Sequence, residues 1–242
     1  MNPIQLIRNR LRPSQTYLYP TDFLPLAQLG QYFPPYRPTF STSYINDNHF
    51  YYCRCPTQEG LIDIGIQGFL RRADALKLYE LAYYSQGNIL EMGSAWGLST
   101  CILAQAVADS DQPKQVISLE INPQFHQQTQ DQLEQQHLAP YCQTLLGDAL
   151  VLGPHLIEEQ QQFGFAFIDH DHSYEATCDT CQQLLQLIRP GGFVLFHDFN
   201  DEKNRTQFPE FGVYQGVTEK FTDPPFTFFG LFGCTALYRK AL

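Results

Sequence analysis

From about residue 66 onward the chain alternates between helical and strand-like spacing of its apolar residues, and that alternation predicts its elements. "RRADALKLYELAYYSQ" (71–86) repeats apolar positions at helical intervals and halts at Gly87, while "NILEMG" (88–93) reads as a short buried strand. "LSTCILAQAVAD" is then a helix and "QVISLEI" a strand. Asn122-Pro123 supplies the cap and first-turn proline of a helix through the Gln-rich "QFHQQTQDQLEQQHL". "CQTLLGD" and "FGFAFID" are strands three and four, with "HLIEEQQQ" a short helix between them. "EATCDTCQQLLQLI" is a helix stopped by Arg189-Pro190-Gly191-Gly192, and "GFVLFHD" is strand five. After a helix around "GVYQGVTEKF", the runs "FTFFGLF" and "CTALYRK" flank Gly233 and predict an antiparallel hairpin at one side of the sheet. The order implies an α/β fold, a doubly wound, mostly parallel sheet spanning residues 66–242. Residues 1–65 break the pattern: their prolines are too dense for long helices or central strands, and their aromatics too many for disorder. They predict an irregular arm or lid packed on the main domain.

Composition narrows the classes. A formal charge of −10 over 242 residues offers no basic footprint for a phosphate backbone, which argues against nucleic-acid partners. No apolar run is long enough to span a bilayer, and the N-terminus lacks the apolar core of a signal peptide, so the expectation is a soluble, cytoplasmic protein with no membrane partner. Seven cysteines, an odd and scattered set in a chain too large to need staples, predict reduced thiols. Two pairs raise the question of zinc, Cys53 with Cys55 and Cys178 with Cys181. The second lies within a helix, where its spacing is one face of a turn and packing is the stronger reading.

In a wound sheet, ligands bind beyond the carboxyl ends of the strands. Each of the first five strands ends in an acid: Glu91, Glu120, Asp148, Asp169 and Asp198. After strand one comes Gly93-Ser94-Ala95-Trp96-Gly97-Leu98-Ser99, whose glycines let backbone approach a ligand; it is neither the dinucleotide fingerprint nor a P-loop. Glu120 is placed to accept ribose hydroxyls and Asp148 an adenine amino group. "DHDHSY" (169–174) sets His172 near Asp169, and strand five adds His197 beside Asp198. Histidine suits proton transfer near neutral pH. Carboxylates from adjacent strands suit a hard divalent cation, and the alternation of His with Asp equally suits a transition metal.

In order and spacing, "LEMGSAWGLST", "ISLEINP", "LLGDAL", "FAFIDHDHSYE" and "IRPGGFVLFHD" resemble the class I S-adenosylmethionine-dependent methyltransferases. Within that class the chain is most similar to the small-molecule enzymes of methyltransferase family 24, from about Gly87 to Lys240. His170 replaces the glycine usual in that family's Asp-Gly-Asp-His-Ser-Tyr-like segment. Ala95 stands where many relatives carry glycine, and Phe199 where catechol-type relatives carry asparagine. The resemblance implies a Rossmann-like methyltransferase fold, a seven-stranded sheet with a reversed final strand. It also implies S-adenosylmethionine bound among Glu91, Gly93, Ser94, Gly97, Ser99, Glu120, Asp148 and Asp169. The implied activity is O-methylation of a small hydroxylated metabolite, with His172, Asp169 and His197 as catalytic candidates and His172 as the base. A divalent metal, Mg²⁺ or another, would sit at Asp169 and Asp198. Two other readings stay open: a nucleotide-binding regulatory module that methylates nothing, motivated by positions 95 and 170, and a metal-centred hydroxylase or hydrolase on the same sheet. The acceptor, and whether the chain forms a homo-oligomer, are not legible in the sequence.

Overall fold

The computed structural model of the chain describes residues 61–242 except 111, 200, 206–210 and 222–223. The aromatic arm up to residue 60, with Cys53 and Cys55, and Asn200 fall outside the described residues. Seven strands form one sheet in the order β3-β2-β1-β4-β5-β7-β6. They are β1 (Ile89–Met92), β2 (Val116–Glu120), β3 (Cys142–Leu146), β4 (Phe163–Ile168), β5 (Ile188–Phe196), β6 (Phe226–Phe232) and β7 (Thr235–Lys240). β1 to β5 pair in parallel, and β7 runs antiparallel to both β5 and β6. The doubly wound sheet with its reversed final strand is therefore the fold expected, and the order reverses between β1 and β4, where such sheets bind ligands.

Six helices cover the two faces among the described residues: α1 (Arg72–Tyr84), α2 (Leu98–Ser110), α3 (Pro123–Gln135), α4 (Ala149–Glu158), α5 (Tyr174–Leu187) and α6 (Val213–Lys220). Alternation along each strand sorts side chains between them. Ile89, Val116, Phe165 and Phe167 pack under α1 and α2, whereas Leu90, Met92, Ala166 and Ile168 pack under α4, α5 and α6. Both faces of the central strands are buried, hence the continuous apolar runs in the sequence.

Two boundaries differ from expectation. α4 starts at Ala149, six residues before the predicted helix, because Asp148 caps it: its Oδ1 accepts from the Leu150 amide at 2.8 Å. Pro154 sits inside that helix and cannot bond the Leu150 carbonyl, and Gln183 of α5 takes the vacant acceptor instead, at 3.1 Å. Gly153 makes room for that amide, since a Cβ there would lie 1.9 Å from Gln183 Oε1. The Arg189–Gly192 stretch does end a helix, but β5 begins already at Ile188 and runs through it with an irregularity in its pairing to β4. Cys101, Cys142, Cys178, Cys181 and Cys234 are free thiols, and Cys181 packs in the core as its helical spacing implied. No helix among the described residues is long and apolar enough to cross a membrane.

Candidate active site

The turn from β1 into α2 is shaped by what it presses against. Gly93 has φ 92° and Gly97 φ 88°, and a Cβ on Gly93 would stand 2.1 Å from the carbonyl oxygen of Asp169 at the end of β4. Ala95 adopts φ 44°, a conformation costing a non-glycine residue on the order of 1 kcal/mol. Glu120 at the end of β2 offsets that cost: its Oε2 accepts from the amides of Ser94 (3.0 Å) and Ala95 (2.9 Å), and its Oε1 accepts from the Asn122 amide (2.9 Å). A hollow opens beside the turn, lined by Gly93, Ser94, Ala95, Trp96 and Ser99, by Asp169, and by the segment from Gln67 to Leu70. Trp96 stands between Phe69 (5.6 Å between centroids) and Phe125 (5.2 Å), on the rim of the hollow.

Glu91 lies behind this turn, fully buried. Its Oε2 accepts from the hydroxyls of Thr100 and Ser118, each at 2.5 Å, and its Oε1 has no partner. Burial pushes its carboxyl up to about 7, against the pull of the Ser118, Ser99 and Thr100 hydroxyls. With the folded value raised above the ordinary 4.5, the folded state binds more protons across that window, so stability falls as pH rises from 4.5 to about 7 and levels beyond. The expected loss is about 3 kcal/mol. Urea unfolding at pH 5 and pH 7.5 checks it: Glu91→Gln flattens the difference, and an unchanged slope in the variant rejects the assignment.

The second feature straddles β4 and β5. Successive residues of a strand point to opposite faces, yet His197 and Asp198 both reach the same cluster. The chain leaves the strand at Asp198, with φ 53°, and Asn204 Nδ2 holds the turn by donating to the Asp198 carbonyl at 2.8 Å. His197 Nδ1 is 3.2 Å from Asp169 Oδ1 and 3.4 Å from Asp198 Oδ2; His172 Nε2 is 3.0 Å from Asp198 Oδ2 and 3.6 Å from Asp169 Oδ1. The ring N–H directions miss these oxygens, leaving His172 Nε2 and both nitrogens of His197 without a directed hydrogen bond. Burial pulls both imidazoles down, but the two carboxylates outweigh it, holding His172 at about 9 and His197 well above its ordinary value. The same imidazoles overcome burial to hold Asp198 and Asp169 below the usual carboxylate range.

"DHDHSY" thus divides by role. Asp169 and His172 face the cluster. His170 turns onto α5, its Nε2 2.7 Å from Thr180 Oγ1, and burial holds it below its ordinary value. Asp171 accepts from the Ser173 amide in a turn, and the Ser173 hydroxyl caps α5. Of the expected cofactor residues, Gly93, Ser94, Ser99 and Asp169 line one hollow. Gly97 and Glu120 shape the turn behind it, Glu91 touches it only through Ser99, and Asp148 spends one oxygen on its helix cap. Three contributors were not foreseen. Phe211 stacks on His172 (5.0 Å, 18°) while the Gly212 amide donates to the His172 carbonyl at 2.7 Å. The stretch from Gln67 to Leu70 walls the hollow. Asp201 and Cys234 offer donor atoms within 4.8 Å of Asp198. None carries a local signal, because each arrives by tertiary contact.

A glycine turn after β1, an acid closing β2, and a polar cluster across β4 and β5 together form the ligand-binding edge of a Rossmann-like sheet. Residues 90–199 match the family model described as a methyltransferase domain, methyltransferase family 24. That stretch carries a methyltransferase domain of that family's type. No curated protein matches it significantly. Among solved structures it is similar to cofactor-bound Rv0187 from MTB (19% identity, 79% of this chain and 87% of that one, TM-score 0.59). It is similar also to the O-methyltransferase from Bacillus cereus in complex with SAH (20%, 69% and 78%, TM-score 0.56). A third likeness is to the O-methyltransferase TomG from Streptomyces achromogenes, involved in tomaymycin synthesis and in complex with SAM (20%, 69% and 79%, TM-score 0.56). At these identities the likeness carries the fold.

Proposed function

We propose that this methyltransferase transfers the methyl group of S-adenosylmethionine to a hydroxyl of a small metabolite held at the Asp169, His172, His197 and Asp198 cluster. The observation that carries the proposal is the shared wall: Asp169 belongs both to the cluster and to the hollow beside the Gly93 turn. Bound in that hollow, S-adenosylmethionine would supply an electrophilic methyl on a sulfonium; two similar O-methyltransferases are in complex with SAH and with SAM. Gly93, Gly97, Ser94 and Ser99 shape the methionine end. Glu120 keeps one acceptor site on Oε1 for a ribose hydroxyl, since its Oε2 is filled by its own loop. Asp148 has its second oxygen free of the cap for adenine.

The acceptor must lose its proton as the oxygen attacks in line. His172, the most exposed of the four with 36% of its side chain accessible, is the imidazole placed to take it. Held at about 9, its ring is mostly protonated at neutral pH, so the base form grows as pH rises toward that value. The cluster also fits a divalent cation, because a buried imidazole nitrogen without a partner faces two carboxylates. Asp169 and Asp198 would hold the ion, which would acidify a coordinated acceptor hydroxyl.

Calorimetry of the full chain with S-adenosylmethionine and its demethylated product tests the cofactor, and a library of small hydroxyl compounds tests transfer. Binding in the micromolar range is expected, and none at millimolar ligand rejects the proposal. A second reading, a nucleotide-binding module without transfer, is motivated by Ala95 and His170 standing where relatives carry glycine. Methylation of any library member removes it.

A further inference from the structure

We infer that His197, and not His172, is the imidazole ligand of this cation site, and that with Asp169 and Asp198 it selects a first-row transition dication such as Mn²⁺, Fe²⁺, Co²⁺ or Zn²⁺ over Mg²⁺. The assignment rests on the cation reading above but not on methyl transfer.

His197 is 5% exposed, and neither ring nitrogen has a hydrogen-bond partner. Its Nδ1 nevertheless sits between Asp169 Oδ1 and Asp198 Oδ2, at 3.2 and 3.4 Å, lengths at which a hydrogen bond would form if the direction were right. Ligands of one ion produce this geometry, for their lone pairs converge on a common point instead of on each other. Two donors with bonds of about 2.1 Å stand about 3.0 Å apart at a right angle and about 3.4 Å apart at a tetrahedral one. The His197 separations fall inside that range. The ring is also held fast, since the His197 amide extends the ladder to the Ile168 carbonyl at 2.9 Å and Phe167 packs edge-on against the imidazole.

His172 is less symmetric, at 3.0 and 3.6 Å from the same oxygens, and stacks on Phe211 at the mouth of the site. Asp169, His172 and Asp198 do offer donor atoms within 4.8 Å of one another, so a test must separate the two imidazoles. Burial and rigidity favour His197 as the fixed ligand and leave His172 for the proton. The preference among metals follows from the donors. Imidazole suits zinc, iron, cobalt and nickel, whereas magnesium takes oxygen. Phe199, which follows the pair, is fully buried against Tyr214, Phe228 and Tyr238 and adds no oxygen to complete a hard shell.

The test uses the full chain, stripped with a chelator and titrated with Co²⁺ or Mg²⁺ alone, read by calorimetry and by the visible ligand-field bands of cobalt. Co²⁺ should bind at least about 100-fold more tightly than Mg²⁺. His197→Asn should weaken Co²⁺ by about tenfold or more and alter its bands, with Mg²⁺ binding little changed. His172→Asn should leave the cobalt bands as they are and, since it removes a positive charge beside Asp198, should not weaken the affinity. Equal affinity for the two ions, or loss of the bands in His172→Asn, overturns the assignment. If His197→Asn does not fold, the His172→Asn spectrum decides alone: bands retained support His197, bands lost overturn it. Calorimetry with S-adenosylmethionine on the same samples keeps the readings apart. An ion bound without the cofactor leaves this inference standing and rejects methyl transfer; the cofactor bound without an ion does the reverse.

Discussion

Replacing His172 with alanine lowers kcat/KM for methyl transfer by about 10²–10⁴-fold, the range over which a positioned acid or base contributes, while S-adenosylmethionine affinity is retained. The asymmetry is expected because, of the residues lining the hollow, His172 meets only Asp169, at 3.6 Å, and its other contacts are Asp198 and Phe211. The pH profile supplies the second half of the test. In the metal-free protein Asp169 and Asp198 overcome burial to hold the His172 imidazole at about 9, so the rate measured without added metal rises with pH until that group titrates. The variant loses that rising limb. Retention of more than about a tenth of the activity, or an unchanged limb, assigns the proton to another group. Phe211→Leu removes the stacked ring but keeps the proton acceptor, and should lower kcat by less than the alanine variant does, because it disturbs only the orientation of the imidazole.

Why the sequence disclosed the sheet so fully is plain from its burial. β1, β2 and β4 are covered on both faces, so they are unbroken apolar runs, and each gives way to an acid or a glycine where the chain emerges at the ligand side. The cluster was legible only in part. Asp169 and His172 lie three residues apart and share one loop, but the convergence of His197 with Asp198 defies strand periodicity and depends on the left-handed turn at Asp198. No pattern of residue types encodes that turn here. The early start of α4 at Ala149 was hidden for the converse reason: Pro154 is tolerated inside the helix because Gln183, 29 positions later in the chain, takes the carbonyl it strands. The roles of Glu120 show a similar limit. An acid at that strand end signals a ribose contact, yet its service to the amides of Ser94 and Ala95 is visible only once the turn is folded.

Gly93→Ala should destabilise the chain by about 3 kcal/mol and weaken S-adenosylmethionine binding by about 100-fold. Two penalties combine there. The residue holds φ 92°, which an L side chain rarely adopts, and its Cβ would stand 2.1 Å from the Asp169 oxygen, 2.7 Å from the Asp169 carbonyl carbon and 3.0 Å from the His170 Cα. All three are backbone atoms, so no rotamer change relieves the overlap; either the turn lifts or the end of β4 retreats. Both movements displace Asp169 from the wall it shares with the cluster, which is why cofactor affinity and transfer fall together with stability. Ala95→Gly is the matched control two residues away: it relaxes φ 44° without moving any contact of the Ala95 amide with Glu120, and should alter stability by no more than about 1 kcal/mol. Urea unfolding and calorimetry on the pair read both effects. A Gly93→Ala protein that unfolds and binds like the wild type would mean that β1 and β4 do not press together at this point, and with that contact would go the reason for placing cofactor and acceptor on two sides of one aspartate.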